Sequence, residues 1–142
     1  TMYKKTIKYV DFNGVEREED FYFHMTKAEA IKAEMSEKGG LAAAITQIAA
    51  EDDAENLFRL FEKIVRMAYG KRSVDGKSFI KKPEYADEFL SSEAYSNLFM
   101  EFMEDASKAS EFVNGILASV EVDHNKQSMS NIVSVQRAQL NK

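Results

Sequence analysis

Tyr3-Lys4-Lys5-Thr6-Ile7-Lys8-Tyr9-Val10-Asp11-Phe12-Asn13-Gly14-Val15-Glu16-Arg17-Glu18-Glu19-Asp20-Phe21-Tyr22-Phe23 is the stretch that decides between an all-helical chain and an α+β one. Apolar and polar residues alternate on the way into Asp11-Phe12-Asn13-Gly14, the period of a half-buried strand. Asp suits the first position of a type I turn, and Gly the left-handed position that closes a G1 bulge. A three-residue loop of this kind sets Asp11 opposite Val15. Odd positions then face odd positions, and Tyr3, Ile7, Tyr9, Val15, Phe21 and Phe23 gather on one face. A two-residue Asn13-Gly14 turn would scatter them over both faces, because a one-residue slip flips every side chain. The bulged turn is therefore expected, with Lys8 opposite Glu18 as a modest cross-strand charge pair.

Helical signals follow at once. Thr26 and Glu29 match a capping box, in which hydroxyl and carboxylate satisfy backbone N–H groups at a helix start. A helix is expected over 27–37, ended by Gly39-Gly40, and a second over Leu41-Ala42-Ala43-Ala44-Ile45 to about Ala50. Asp52 or Asp53 can cap the third, where negative charge is favourable. Its apolar positions Leu57, Phe58, Phe61, Ile64, Val65 and Ala68 form a stripe of period 3.6 that stops at Tyr69-Gly70. Residues 71–82 read as a polar loop around Asp75-Gly76, and Pro83 suits the first turn of another helix. Ser91 or Ser92 caps Ala94, Tyr95, Leu98, Phe99, Phe102 and Met103, and after Asp105 the pattern restarts with Ala109, Phe112, Val113, Ile116 and Leu117. The expected fold is α+β and mostly α: an N-terminal β-hairpin over 3–23 and a compact bundle of about five short helices over 26–118. Residues 1–118 are expected to form one domain, and the Ser-, Asn-, Gln- and Lys-rich 119–142 read as a flexible tail.

With 142 residues, 44% hydrophobic and 30% charged, the chain has the length and balance of one folded domain. It has no Cys, which removes disulfides, thiolate metal sites and cysteine nucleophiles and suits a reducing cytosol. No signal-peptide pattern or membrane-length apolar run is present. Thr1 ahead of Met2 reads as an expression remnant, with Met2 the expected native start. The net charge of −5 argues against general nucleic-acid binding, which depends on Lys and Arg neutralising phosphates.

No catalytic, cofactor or metal site is legible. His24 and His124 are isolated and lack the spacing of ligands or of a base and nucleophile. Glu51-Asp52-Asp53-Ala54-Glu55 lacks the alternating ligands and central Gly of a calcium loop, and capping accounts for it. The basic stretch Lys71-Arg72 through Lys77, Phe79, Lys81 and Lys82 could touch phosphates, but no phosphate-loop motif surrounds it, and a solvated loop is the simpler reading. Seven Met and ten Phe say more. Leu98, Phe99, Met100, Phe102 and Met103 make one helix apolar over more than one narrow stripe, which suits burial on two sides or an exposed binding surface. Such stripes usually face inward, yet methionine also recurs in surfaces that accept varied partners. Phe58, Phe61, Phe99, Met100 and Met103 are the candidate partner-binding residues.

The opening Met2-Tyr3-Lys4-Lys5-Thr6-Ile7, the hairpin end Glu19-Asp20-Phe21-Tyr22-Phe23-His24, Gly39-Gly40, Ala68-Tyr69-Gly70-Lys71-Arg72-Ser73, Asp75-Gly76-Lys77-Ser78-Phe79-Ile80-Lys81, and Ser92-Glu93-Ala94-Tyr95 through Phe112-Val113-Asn114-Gly115-Ile116 occur in one collinear order. In that order the chain, over residues 2 to about 117, resembles the tail assembly chaperones of long-tailed phages and prophages of Gram-positive bacteria. The segment after Leu117 carries no part of the resemblance. The resemblance implies a non-catalytic protein that binds the long helical tape measure protein, keeps it soluble, and helps recruit the tail tube protein. It would act in the cytoplasm of the bacterial host and be absent from the mature virion, with no cofactor and no membrane partner. Members often occur in a short and a frameshift-extended form. Two alternatives stand beside it: a structural connector or tail-completion protein of the virion, and a small nucleic-acid-binding regulator using the helices around 71–82.

Overall fold

In the computed structural model residues 2–122 are described, the last two by their backbone alone. The hairpin forms as β1 (Tyr3–Val10) and β2 (Glu16–Phe23), antiparallel from Tyr3 opposite Phe23 to Val10 opposite Glu16. The bulged turn is present. Gly14 N donates to Asp11 O and Asp11 N to Val15 O, each at 2.9 Å, and Gly14 sits at φ +79°. The Asp11 carboxylate fixes the loop by accepting from the backbone N–H groups of Asn13 and Val15 and from Arg17 Nε. Of the odd-numbered face, Ile7 and Phe23 are buried, and Tyr3, Tyr9 and Phe21 pack against the core. Val15 does not join them. It lies at the hairpin tip, exposed together with Val10 and Phe12.

Helix α1 (Lys27–Met35) starts on the complete Thr26–Glu29 capping box. Helix α2 (Leu41–Glu51) begins after Gly40 and ends at Asp52 in a left-handed conformation, φ 53°. Asp53 is therefore the cap of α3 (Ala54–Ala68), its carboxylate accepting from Asn56 N. The buried stripe of α3 contains Leu60, fully enclosed, in place of Phe58, which is exposed. Eight to ten residues later the polar-loop reading fails. Tyr69–Arg72 form β3 and Phe79–Ile80 form β4, and the sheet has four antiparallel strands in the order β1-β2-β3-β4. Strands of four and two residues carry too little periodicity to be read locally; β3 exists because the free edge of β2 offers Tyr22 and Phe23 to Gly70 and Tyr69, and β4 pairs in turn with Lys71 and Arg72 of β3. Gly70 allows the close approach, since a Cβ there would stand 2.5 Å from the Ile80 carbonyl.

Pro83 opens α4 (Pro83–Leu90) and Ser92 caps α5 (Glu93–Glu104), accepting from Tyr95 N. Helix α6 (Ala106–Val122) runs beyond the expected end at 118, with Val120 buried next in line after Val113 and Ile116. His124 and the rest of the expected tail, 123–142, lie outside the described residues. The core is aromatic. Phe61 lies 4.7 Å from Phe102, Phe102 5.2 Å from Phe112, and Phe112 5.0 Å from Phe23, centroid to centroid, while Tyr69 stacks on Phe89 at 4.6 Å. One cluster thus ties β2, α3, α5 and α6 together, each ring pair adding roughly 0.5–1.5 kcal/mol beyond its area burial.

Candidate functional site

Helix α5 explains its own excess of apolar residues. Ala94, Tyr95, Leu98 and Phe102 face the core. One flank meets the edge of β1, where Asn97 Nδ2 donates to the Lys8 carbonyl at 2.9 Å and Glu101 pairs with Lys5 Nζ at 3.4 Å. These contacts also occupy part of an edge strand that would otherwise invite another chain. The remaining arc, by the 100° step of a helix, carries Phe99, Met103 and Met100. Phe99 is partly buried, whereas Met100 and Met103 are 49% and 44% exposed.

The neighbouring helix completes the surface. Phe58, 46% exposed, projects from α3 and meets Phe99 edge to face at 5.2 Å, with Tyr95 beneath at 6.4 Å. Burial, then the charge of Glu62, pushes the Tyr95 phenol above its ordinary value, so this base layer is neutral. The result is an aromatic and methionine stripe across the α3–α5 seam. Phe61 is not part of it. At 1% exposure it sits among Phe102 and Phe112, because residue 61 faces inward one helical turn from Leu57 and Ile64, whereas residue 58 points along the seam. Of the five candidates the fold therefore gathers Phe58, Phe99, Met100 and Met103 and withholds Phe61.

Met103 continues the stripe into a groove of about 230 Å³ where the end of α2, the start of α3 and the α5–α6 corner meet, lined among others by Ile45, Ile48, Ala49 and Leu57. Sequence reasoning missed this groove, since it exists only through the meeting of four helices. It also missed the hairpin tip, where Phe12 is 84% exposed; a Phe within the turn was the available signal.

Several of the other singled-out residues have structural partners. Lys81 Nζ donates to Glu29 Oε1 at 2.5 Å, the Met67 carbonyl at 2.9 Å and the His24 carbonyl at 3.1 Å. Lys71 pairs with Glu88, and the Arg72 guanidinium lies 5.3 Å from the Tyr22 ring centroid. Much of the basic stretch is thus tied into the sheet and α4 rather than offered to a phosphate. The His24 ring stands edge-on to Phe79 at 6.2 Å. Among the described residues no group of three or more His, Asp or Glu is placed to hold a metal ion, and no helix is long and apolar enough to cross a membrane.

A family model described as phage tail assembly chaperone matches residues 2–141. The chain belongs to that family. The match carries the tail assembly chaperone assignment past Leu117, where the sequence resemblance stops, so the C-terminal segment lies within the family's extent. No curated protein and no solved structure matches the chain.

Proposed function

We propose that this tail assembly chaperone binds the tape measure protein through the stripe formed by Phe58, Phe99, Met100 and Met103, keeps it dispersed, and assists the addition of tail tube protein, without catalysis. The observation that supports this reading is the exposure of Phe58, Met100 and Met103 beside the partly buried Phe99 along the α3–α5 seam. Unpaired apolar faces of a long helical client aggregate unless covered. Helix-in-groove packing against aromatic and methionine side chains can cover them, while a net charge of −5 keeps the complex dissolved. The working compartment on this reading is the cytoplasm of the bacterial host.

The test is coexpression with a tape measure fragment. Phe58→Ser combined with Met100→Gln and Met103→Gln should leave the fold intact, because all three positions are exposed, and should shift the fragment into the insoluble fraction with loss of copurification. Unchanged solubility and copurification would remove the stripe as the client site.

A further inference from the structure

The stripe of Phe58, Phe99, Met100 and Met103 is bordered by charge of one sign. On α3, Glu55 stands three residues before Phe58 and Glu62 four after it, so both lie on the Phe58 side of the helix, one turn to either end. On α5, Glu104 lies four residues after Met100. With Asp52, Asp53 and Met103 it also lines the groove that continues the stripe. Asp53 is engaged as the cap of α3. Asp52, Glu55 and Glu104 are exposed, and among the described residues no Lys or Arg forms an ion pair with any of the three. Helices α2 and α5 contain no Lys or Arg at all. The basic residues of α3 are spoken for: Arg59 and Lys63 pair with Glu37 at 3.7 and 2.8 Å, and Arg66 divides between Asp87 at 2.8 Å and Glu62 at 3.4 Å.

A border of this kind decides which apolar helices can settle. Its carboxylates repel an acidic helix and attract a basic one. Lys and Arg can lay their apolar stems along Phe and Met side chains while their charged heads reach the rim. The floor adds a second signal. The Tyr95 hydroxyl, buried beneath Phe58 and Phe99, has no hydrogen-bond partner among the described residues, and the Glu62 charge acts on that phenol. A cation drawn to Glu62 therefore arrives near a phenol oxygen that lacks a donor. We propose that the seam selects an amphipathic helix whose apolar side is flanked by Lys or Arg, the cations seated against Glu55, Glu62 and Glu104. This rests on the client-binding reading above and narrows it: basic-flanked apolar segments of the client are held, and acidic-flanked ones are passed over. Exposed ion pairs contribute roughly 1.5–5-fold in affinity each, so three together give a preference of about ten-fold.

The test uses the full chain and two labelled peptides of about 18 residues, five helical turns. They share one Leu stripe at helical spacing and carry Lys at the flanking positions in one and Glu in the other. By fluorescence anisotropy the Lys peptide should bind about ten-fold more tightly. The preference should contract to about two-fold when salt is raised to roughly 0.5 M, or when Glu55→Gln, Glu62→Gln and Glu104→Gln are combined. Glu16→Gln, Glu18→Gln and Glu111→Gln, which remove three exposed charges from the hairpin and α6, should leave it unchanged. Equal binding of the two peptides would overturn the proposal. So would an equal loss in both neutralised chains, since the preference would then belong to net charge, or Lys-peptide binding unmoved by Phe58→Ser with Met100→Gln and Met103→Gln. Coexpression with the tape measure fragment separates this proposal from the reading it rests on. Copurification lost with the apolar substitutions but fully kept with the three rim neutralisations would remove the charge selection and leave the client site standing.

Discussion

Gly115 shows how one residue sets the packing of the sheet on the helices. It lies within α6, where glycine costs about 1 kcal/mol relative to alanine, and an added Cβ would come within 2.2 Å of the Tyr3 ring. Tyr3 in turn stands edge-on to Phe112 at 5.6 Å. Gly115→Ala should therefore destabilise by about 1–3 kcal/mol despite its better helix propensity, measured by urea unfolding, and Tyr3→Ala in the same chain should relieve the clash. Lys81 makes the second prediction. Burial alone would raise the Glu29 pKa, but the hydrogen bonds from Lys81 and from Thr26 N outweigh it and hold the carboxyl below its ordinary value. A depressed folded-state pKa contributes stability that is present at neutral pH and lost as pH falls through that value. Lys81→Met should cost about 1.5–3 kcal/mol near pH 7, and the gap to the parent chain should narrow on acidification below the carboxylate range. A gap independent of pH would deny Glu29 that role.

Among the elements, the hairpin is the one whose local chemistry fixes its register. The Asp11 carboxyl lies below its ordinary pKa because it accepts first from the backbone N–H of Val15, then from Arg17, and from Asn13 as well. By the same sign rule the turn should loosen as pH drops through that depressed value. Asp11→Ala should lower the hydrogen-exchange protection of the Asp11 and Gly14 amides at neutral pH while leaving that of α6 unchanged. At acid pH the parent should approach the variant. The alternation, the Asp and the Gly were all readable in 3–23, and so were the Thr26, Pro83 and Ser92 helix starts, since each depends on neighbours within a few residues. β3 and β4 were not readable. β3 pairs with Tyr22 and Phe23 of β2, far back in the chain, and the two-residue β4 pairs only with β3, so no periodicity within 69–80 encodes either strand.

For the whole molecule, the separation of a buried aromatic core from an exposed aromatic and methionine seam bears on where the protein ends its work. A chaperone whose apolar stripe is covered only by a client in transit should be released on completion. Mass spectrometry of purified virions should find this chain at a small fraction of the tail tube protein's abundance; stoichiometric presence would favour a structural component instead. Family membership, the hairpin register and the order of helices followed from the sequence alone, because collinear motifs, turn residues and caps act over short distances. Which of Phe58, Phe61, Phe99, Met100 and Met103 reach solvent did not. At helical spacing all five fit an apolar face, and only the crossing of α3, α5 and α6 seals Phe61 inside, leaves its neighbours in the seam, and opens the groove beside Met103. Burial is a property of what packs against a side chain, and that is set by chain segments far apart in sequence.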